Sequence, residues 1–167
     1  MRETELDPVR LIQAYQAGVW RYLRVLGCEA SLADDLTQET FLAILNRPFE
    51  DVSPTATSAY LRKTALHLYI SHHRRTGRMR TEADIENLDQ SWTAWAGGDG
   101  GDAAIEHLRD CLNELTERAR RALEMRFRDD RSRSEIAQEL EITEHGAKNL
   151  MQRAKQQLRE CVEHKLQ

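Results

Sequence analysis

Residues 143–159 read TEHGAKNLMQRAKQQLR. Wound as a helix, the stretch collects His145, Lys148, Asn149, Gln152 and Gln156 on one side, with Arg153 and Arg159 flanking. Amide and basic side chains in such a row can pair with base edges and phosphates in a DNA major groove. The opposite side gathers Ala147, Leu150, Met151, Ala154, Leu158, Cys161 and Val162 within about a third of the circumference. Spacing alone also fits an ordinary helical hairpin with a solvated face.

A second set of residues suits a different nucleic-acid chemistry. No Asp or Glu occurs between Asp51 and Glu82, a stretch holding Arg62, Lys63, Arg74, Arg75, Arg78 and Arg80. A helix from about Ser58 puts Leu61, Ala65, Leu68 and His72 on one side, with Arg62, Lys63, His67, Ser71 and Arg74 on or near the other. Phosphates can be held by such charge. Residues 53–58, read as a loop before that helix, offer small polar side chains. A third set, Asp35, Gln38, Glu39 and Leu42, is spaced i, i+3, i+4, i+7 along one strip. An acidic strip is commonly a solvated face, and Leu42 within it suggests a docking surface.

Other chemistries find little support. No glycine-rich phosphate loop precedes a helix and no paired-carboxylate site stands out, so no enzyme and no cofactor are expected. Cys161 and His164 are i, i+3 but lack two further ligands, and joining His67, His72 and His73 to them is unconvincing. No metal site is expected, and His72 reads as a core histidine.

The elements that must position these residues are helices. The first spans residues 8–27 around Leu11, Tyr15, Val19, Tyr22 and Leu26, and the second runs from about Ser31 to Leu45. Later come a stripe of Ile105, Leu108 and Leu112, then Ala119, Ala122, Leu123 and Phe127 after Thr116, a natural N-cap. Ser132 with Glu135 fits a capping box opening a short helix whose Ile136, Ala137 and Leu140 face inward. Glu141-Ile142-Thr143 break it, and Thr143 caps the long helix. A short helix, a tight turn and a second helix with an acid-poor outer face form a helix-turn-helix. No strand pattern is present. The fold expected is all-α: helical domains over 1–80 and 103–167, joined by an acidic flexible linker, 81–102, that lacks a helical stripe. Trp92 and Trp95 are unusual in a spacer, because rings of that size generally dock somewhere.

Charge follows the same division. The net charge is −4 over 167 residues, but residues 1–80 have 11 Lys/Arg against 9 Asp/Glu. Residues 81–102 have 6 acids and no base, and 103–167 have 13 of each. Cys28, Cys111 and Cys161 are far apart and form no C-x-x-C, which suggests reduced thiols. The opening MRETELDP is acidic with no apolar run behind it, so no secretory signal is expected. No stretch approaches the roughly 20 apolar residues of a membrane span. A cytoplasmic protein without membrane insertion is the expectation.

Three segments together resemble the small extracytoplasmic-function sigma factors, promoter-recognition subunits of bacterial RNA polymerase. DDLTQETFLAIL (34–45) is similar to the segment that docks on polymerase, and AYLRKTALHLYISHHRR (59–75) to the promoter-melting helix. LNELTERARRALEMRF (112–127) with SEIAQELEITEHGAKNLMQRAKQQLRE (134–160) resembles the second domain. The resemblance implies core RNA polymerase and promoter DNA as partners, and leaves room for an anti-sigma factor. By position, Asp35, Gln38, Glu39 and Leu42 would contact polymerase. Tyr60, Lys63, His67, Arg74 and Arg75 would serve the −10 element. Thr143, His145, Lys148, Asn149, Gln152 and Arg153 would serve the −35 element. The chain departs from the family's pattern at Tyr60 (usually Trp), His67 (often Asn) and Arg131 (commonly apolar), and the helix-turn-helix turn has Glu141 where Gly is common. A stand-alone helix-turn-helix regulator with a helical sensor or dimerisation domain is the alternative.

Overall fold

The computed structural model describes residues 7–47, 53–76 and 80–167; Arg78 and the acidic opening residues 1–6 lie outside them. Eight helices are formed among the described residues, and no strand. They are α1 (Pro8–Val25), α2 (Ala30–Leu45), α3 (Pro54–Thr76), α4 (Glu82–Ala96), α5 (Asp102–Glu114), α6 (Glu117–Phe127), α7 (Arg133–Glu139) and α8 (Glu144–Leu166). The all-α expectation holds. None of these helices is long and apolar enough to cross a membrane. The chain divides into two compact units, Met1–Ala103 and Ala104–Gln167.

In the first unit, α1, α2 and α3 close around Leu11, Tyr22, Leu23, Phe41, Ile44, Leu61 and Tyr69. Asp7 caps α1, accepting from the Val9 amide at 3.0 Å. The far end needs a left-handed residue, and Gly27 supplies it with φ +101°. There the Gly27 amide reaches the Arg24 carbonyl at 3.0 Å and the Cys28 amide reaches Leu23 at 3.1 Å, the two bonds of a Schellman ending. The Tyr69 hydroxyl donates to the Leu26 carbonyl at 3.1 Å, which ties α3 to that turn. Burial raises the Cys28 thiol to about 11, so it stays protonated. In α2, Thr37 and Thr40 are buried and return their hydroxyls to the Ala33 and Leu36 carbonyls at 2.6 and 2.7 Å.

Two expectations fail in this unit. Helix α3 begins at Pro54, not near Ser58, because proline suits a first helical position that lacks an N–H acceptor. Residues 54–58 are therefore helix rather than loop: Ser53 Oγ accepts from the Ala56 amide and Thr57 is buried. The larger correction concerns 81–102, which is not a flexible linker. Thr81 caps α4 through the Asp84 amide at 3.1 Å. Ile85, Leu88 and Trp92 pack on the first unit's core. Tyr22 donates to Asp89 at 2.8 Å, and Arg62 Nε lies 3.3 Å from the same carboxylate. Burial first, and then that bond, raises the Tyr22 hydroxyl's pKa far above its ordinary range. The Gly/Asp run that follows lies against α1. A Cβ on Gly18 would stand 2.9 Å from Gly100 Cα, and Arg21 grips the Gly100 carbonyl and Asp102.

The second unit is built on smaller side chains. Ala119, Ala122, Ala137, Ala147 and Ala154 share its core with Leu115, Leu123, Met125, Ile136 and Met151. Small residues let α6, α7 and α8 approach closely. The expectation of reduced thiols is wrong for two of the three cysteines, since Cys111 and Cys161 form a disulfide. Their Cα atoms stand 5.9 Å apart across 50 residues of chain, which joins α5 to α8. Lys165 and Glu114 add an ion pair between the same helices at 3.6 Å.

Candidate nucleic-acid interface

The caps that aim α8 form where the sequence placed them. Ser132 Oγ accepts from the Glu135 amide at 3.1 Å, and Glu135 Oε2 accepts from the Ser132 amide at 2.8 Å, a complete capping box. Thr116 caps α6 through the Ala119 amide. Thr143 caps α8, accepting from the Gly146 amide at 2.9 Å. Its hydroxyl is thereby engaged in starting the helix. Between α7 and α8, Glu141 adopts φ +55°. The Ile142 amide bonds back to Ala137 at 3.0 Å and the Glu141 amide to Gln138 at 3.2 Å. This is the Schellman ending of α1 again, with a glutamate in glycine's place.

Along α8, the face opposite its buried Ala147, Met151, Ala154 and Val162 presents His145, Lys148, Gln152 and Arg153 exposed, with Asn149 half-buried beside them. Between Glu144, which sits in the first turn and favours the positive end of the helix, and Glu160 the face has no acid. Acids return further along, each engaged by a neighbour: Gln156 bonds to Glu160 at 2.9 Å and Arg159 pairs with Glu163 at 3.7 Å. Arg131, where an apolar residue was noted as commoner, is exposed. Its carbonyl accepts from Arg126 at 3.0 Å.

In the first unit, α3 carries no acid anywhere. Leu61, Ala65 and Tyr69 are buried, whereas Tyr60, Lys63, His67, Ser71, Arg74 and Arg75 are exposed. These last fall on one side, so Tyr60, Lys63, His67, Arg74 and Arg75 share an open face. His72 is half-buried and meets the His73 ring edge-on at 5.4 Å, while His73 stacks on Tyr69 at 4.0 Å. Arg62 is drawn aside to Asp89 and leaves the open face to Lys63. On α2, Asp35, Gln38, Glu39 and Leu42 are all exposed, and Leu42 is 61% accessible, unusual for a leucine at mid-helix. Next to them Trp20 Nε1 donates to Asp34 at 2.8 Å. Among the described residues, no group of three His, Cys, Asp or Glu side chains is arranged to hold a metal.

Sequence reasoning missed four polar contacts around these faces: Asp89 on Arg62, Asp34 on Trp20, and one from each of two arginines of α6 to the turn. Arg118 Nη2 donates to the Leu140 carbonyl at 3.0 Å, and Arg121 Nη2 meets Glu139 Oε1 at 2.5 Å. The i, i+3 spacing of these two arginines was the available signal.

Comparison with known families separates the readings. The description Sigma-70 region 2 matches residues 11–79, and Sigma-70, region 4 matches residues 105–158. The chain belongs to the sigma-70 family. With region 2 and region 4 separated only by α4 and its flanks, it has the organisation of the extracytoplasmic-function sigma factors. These families are transcription initiation factors, not enzymes. No curated protein matches. Among solved structures, a chain of the RsbN–BldN complex aligns over 92% of this sigma factor and 90% of its own length, at 23% identity and a TM-score of 0.34.

Proposed function

We propose that this sigma factor joins core RNA polymerase and directs it to specific promoters, acting in the cytoplasm. Region 4 holds the −35 element as duplex through His145, Lys148, Asn149, Gln152 and Arg153, with Thr143 placed at the start of the same helix. Region 2 holds the opened −10 element through Tyr60, Lys63, His67, Arg74 and Arg75. The α2 strip of Asp35, Gln38, Glu39 and Leu42 meets the polymerase. An anti-sigma factor is a fitting further partner, covering one of these faces until release.

One observation carries the reading. Each matched region exposes, on a helix face that is acid-free in α3 and acid-poor near the start of α8, the side-chain classes its task needs. Amides and lysine serve a duplex whose base edges are still paired. Rings and arginines serve strands that have been separated. Region 4 has balanced charge, so it offers little non-specific phosphate attraction alone, and recruitment by polymerase supplies the local concentration.

The test is run-off transcription from a promoter library by core polymerase, with and without the chain. Defined transcripts that require the chain, sharing two separated sequence elements, are expected. Binding to a two-fold symmetric operator without polymerase, and no transcript, would make it a stand-alone regulator instead.

A further inference from the structure

The turn that aims α8 is held from outside. A glycine closes a Schellman ending without steric cost, as Gly27 does after α1, but Glu141 must bring its Cβ into the left-handed region. Helix α7 has little with which to enforce that conformation. It is seven residues long and buries only Ile136 and Ala137. Leu140 and Ile142, on either side of Glu141, pack on the second unit's core, and α6 adds a polar grip on the last turn. Arg118 donates to the carbonyl of Leu140, the C-cap of α7, where a cation also meets the negative end of the helix. One turn along α6, Arg121 holds the carboxylate of Glu139, the final residue of α7. The other oxygen of Glu139 lies 4.0 Å from Arg131. Three cationic groups thus converge on the two residues preceding Glu141.

The geometry points to Arg118 and Arg121 as positioning residues for promoter reading. They pin the end of α7 so that the strained Glu141 turn sets one direction for α8. This rests on the proposed reading of α8 as the −35 helix. The arginines themselves need touch no base. The Arg121–Glu139 pair is about half exposed, with side-chain accessibilities of 54% and 42%, so its removal lowers overall stability little. Its effect falls on the angle of α8 instead.

The experiment compares four full-length chains: wild type, Arg118→Ala with Arg121→Ala, Glu141→Gly, and the three changes together. Each is read in two ways. With core polymerase, −35 base preference is measured on a promoter library. Without polymerase or DNA, amide hydrogen exchange is followed at Ile142, whose N–H makes the long bond of the turn. The arginine double variant is expected to lose discrimination at −35 by about tenfold, as the loss of one good base contact would. Its Ile142 amide is expected to exchange faster while the melting temperature stays within a few degrees. Adding Glu141→Gly is expected to restore most of both, because an unstrained turn needs no external grip.

A loss equal on all sequences that Glu141→Gly leaves in place overturns the proposal, since the arginines would then be phosphate contacts. Unchanged Ile142 exchange in the double variant overturns it too. That second reading needs no promoter, so it decides the matter even if the wild-type chain shows no −35 preference and the proposed function itself fails.

Discussion

On the proposed reading the two units solve the same problem, presenting one helix face to nucleic acid, with opposite materials. All three Trp and all four Tyr precede residue 104, and the second unit has none. The first unit uses Tyr22, Tyr69 and Trp92 to build a core of large rings, with Tyr60 left on the open side of α3. The second unit packs alanines, so its helices lie close and its core is thin, and a disulfide ties α5 to the end of α8. A helix seated on large rings can bear an open face of charge and aromatics suited to a pliable single strand. A helix that reads duplex, the role proposed for α8, must instead be aimed, and here the aim comes from caps, a bent turn and polar grips around a small core.

The largest expected effect strikes the second unit alone. Cys111→Ser removes a closure spanning 50 residues, which by chain entropy stabilises the folded state by about 4 kcal/mol. Far-UV circular dichroism should show an earlier unfolding step. Tryptophan fluorescence, which reports only on the first unit, should keep its midpoint in urea. A common shift in both signals would mean that the units do not unfold independently.

Next in size is the polymerase strip. Asp35→Arg combined with Glu39→Arg should weaken association with core polymerase at least tenfold, about 1.4 kcal/mol. Folding stability should move by less than about 0.5 kcal/mol, because both groups are surface charges. Wild-type affinity in the double variant would reduce the strip to a solvated face.

Comparable losses are expected on α8, but with different signatures. Asn149→Ala or Gln152→Ala should cost about 1–3 kcal/mol at particular −35 base pairs. Arg153→Ala should weaken every sequence alike and reduce the salt slope by about 1. A titration of binding against salt for the three variants separates reading from holding.

The smallest pair contrasts the two Schellman endings. Glu141→Gly should stabilise by less than about 1 kcal/mol, since relief of a left-handed residue is partly offset by glycine's greater freedom when unfolded. Gly27→Ala should destabilise by about 1–2 kcal/mol; its φ is +101° and the new Cβ would meet Arg80 Nη2 at 2.7 Å. Opposite signs in thermal unfolding are the expected result.

Much of this was legible in the sequence where the signal is local. Thr116, the Ser132–Glu135 box and Thr143 announce helix starts through hydrogen bonds made within three residues of chain. The apolar stripe of α8 and the exposed strip of α2 follow from helical period alone. What escaped depends on distant partners. Ile85, Leu88 and Trp92 do lie at i, i+3, i+7, but charge and the Gly/Asp run hid a helix whose meaning comes from Tyr22 and Arg62. The disulfide escaped because 50 residues separate its ends, although Cys161 stood on the apolar stripe of α8. Pro54 was a readable helix start that the Ser58 boundary overlooked.

The central claim is that one chain divides promoter reading between a face for opened strands and a face for duplex. A promoter-library transcription assay with core polymerase, run on wild type, His67→Asn and Asn149→Ala, tests it most directly. His67→Asn exchanges an imidazole for an amide on the exposed side of α3, which alters the donors and acceptors offered to a base. The account predicts that His67→Asn changes the preferred −10 bases and leaves the −35 profile intact, while Asn149→Ala does the reverse. If either variant shifts both elements together, or if neither shifts any, the division of labour between α3 and α8 is contradicted.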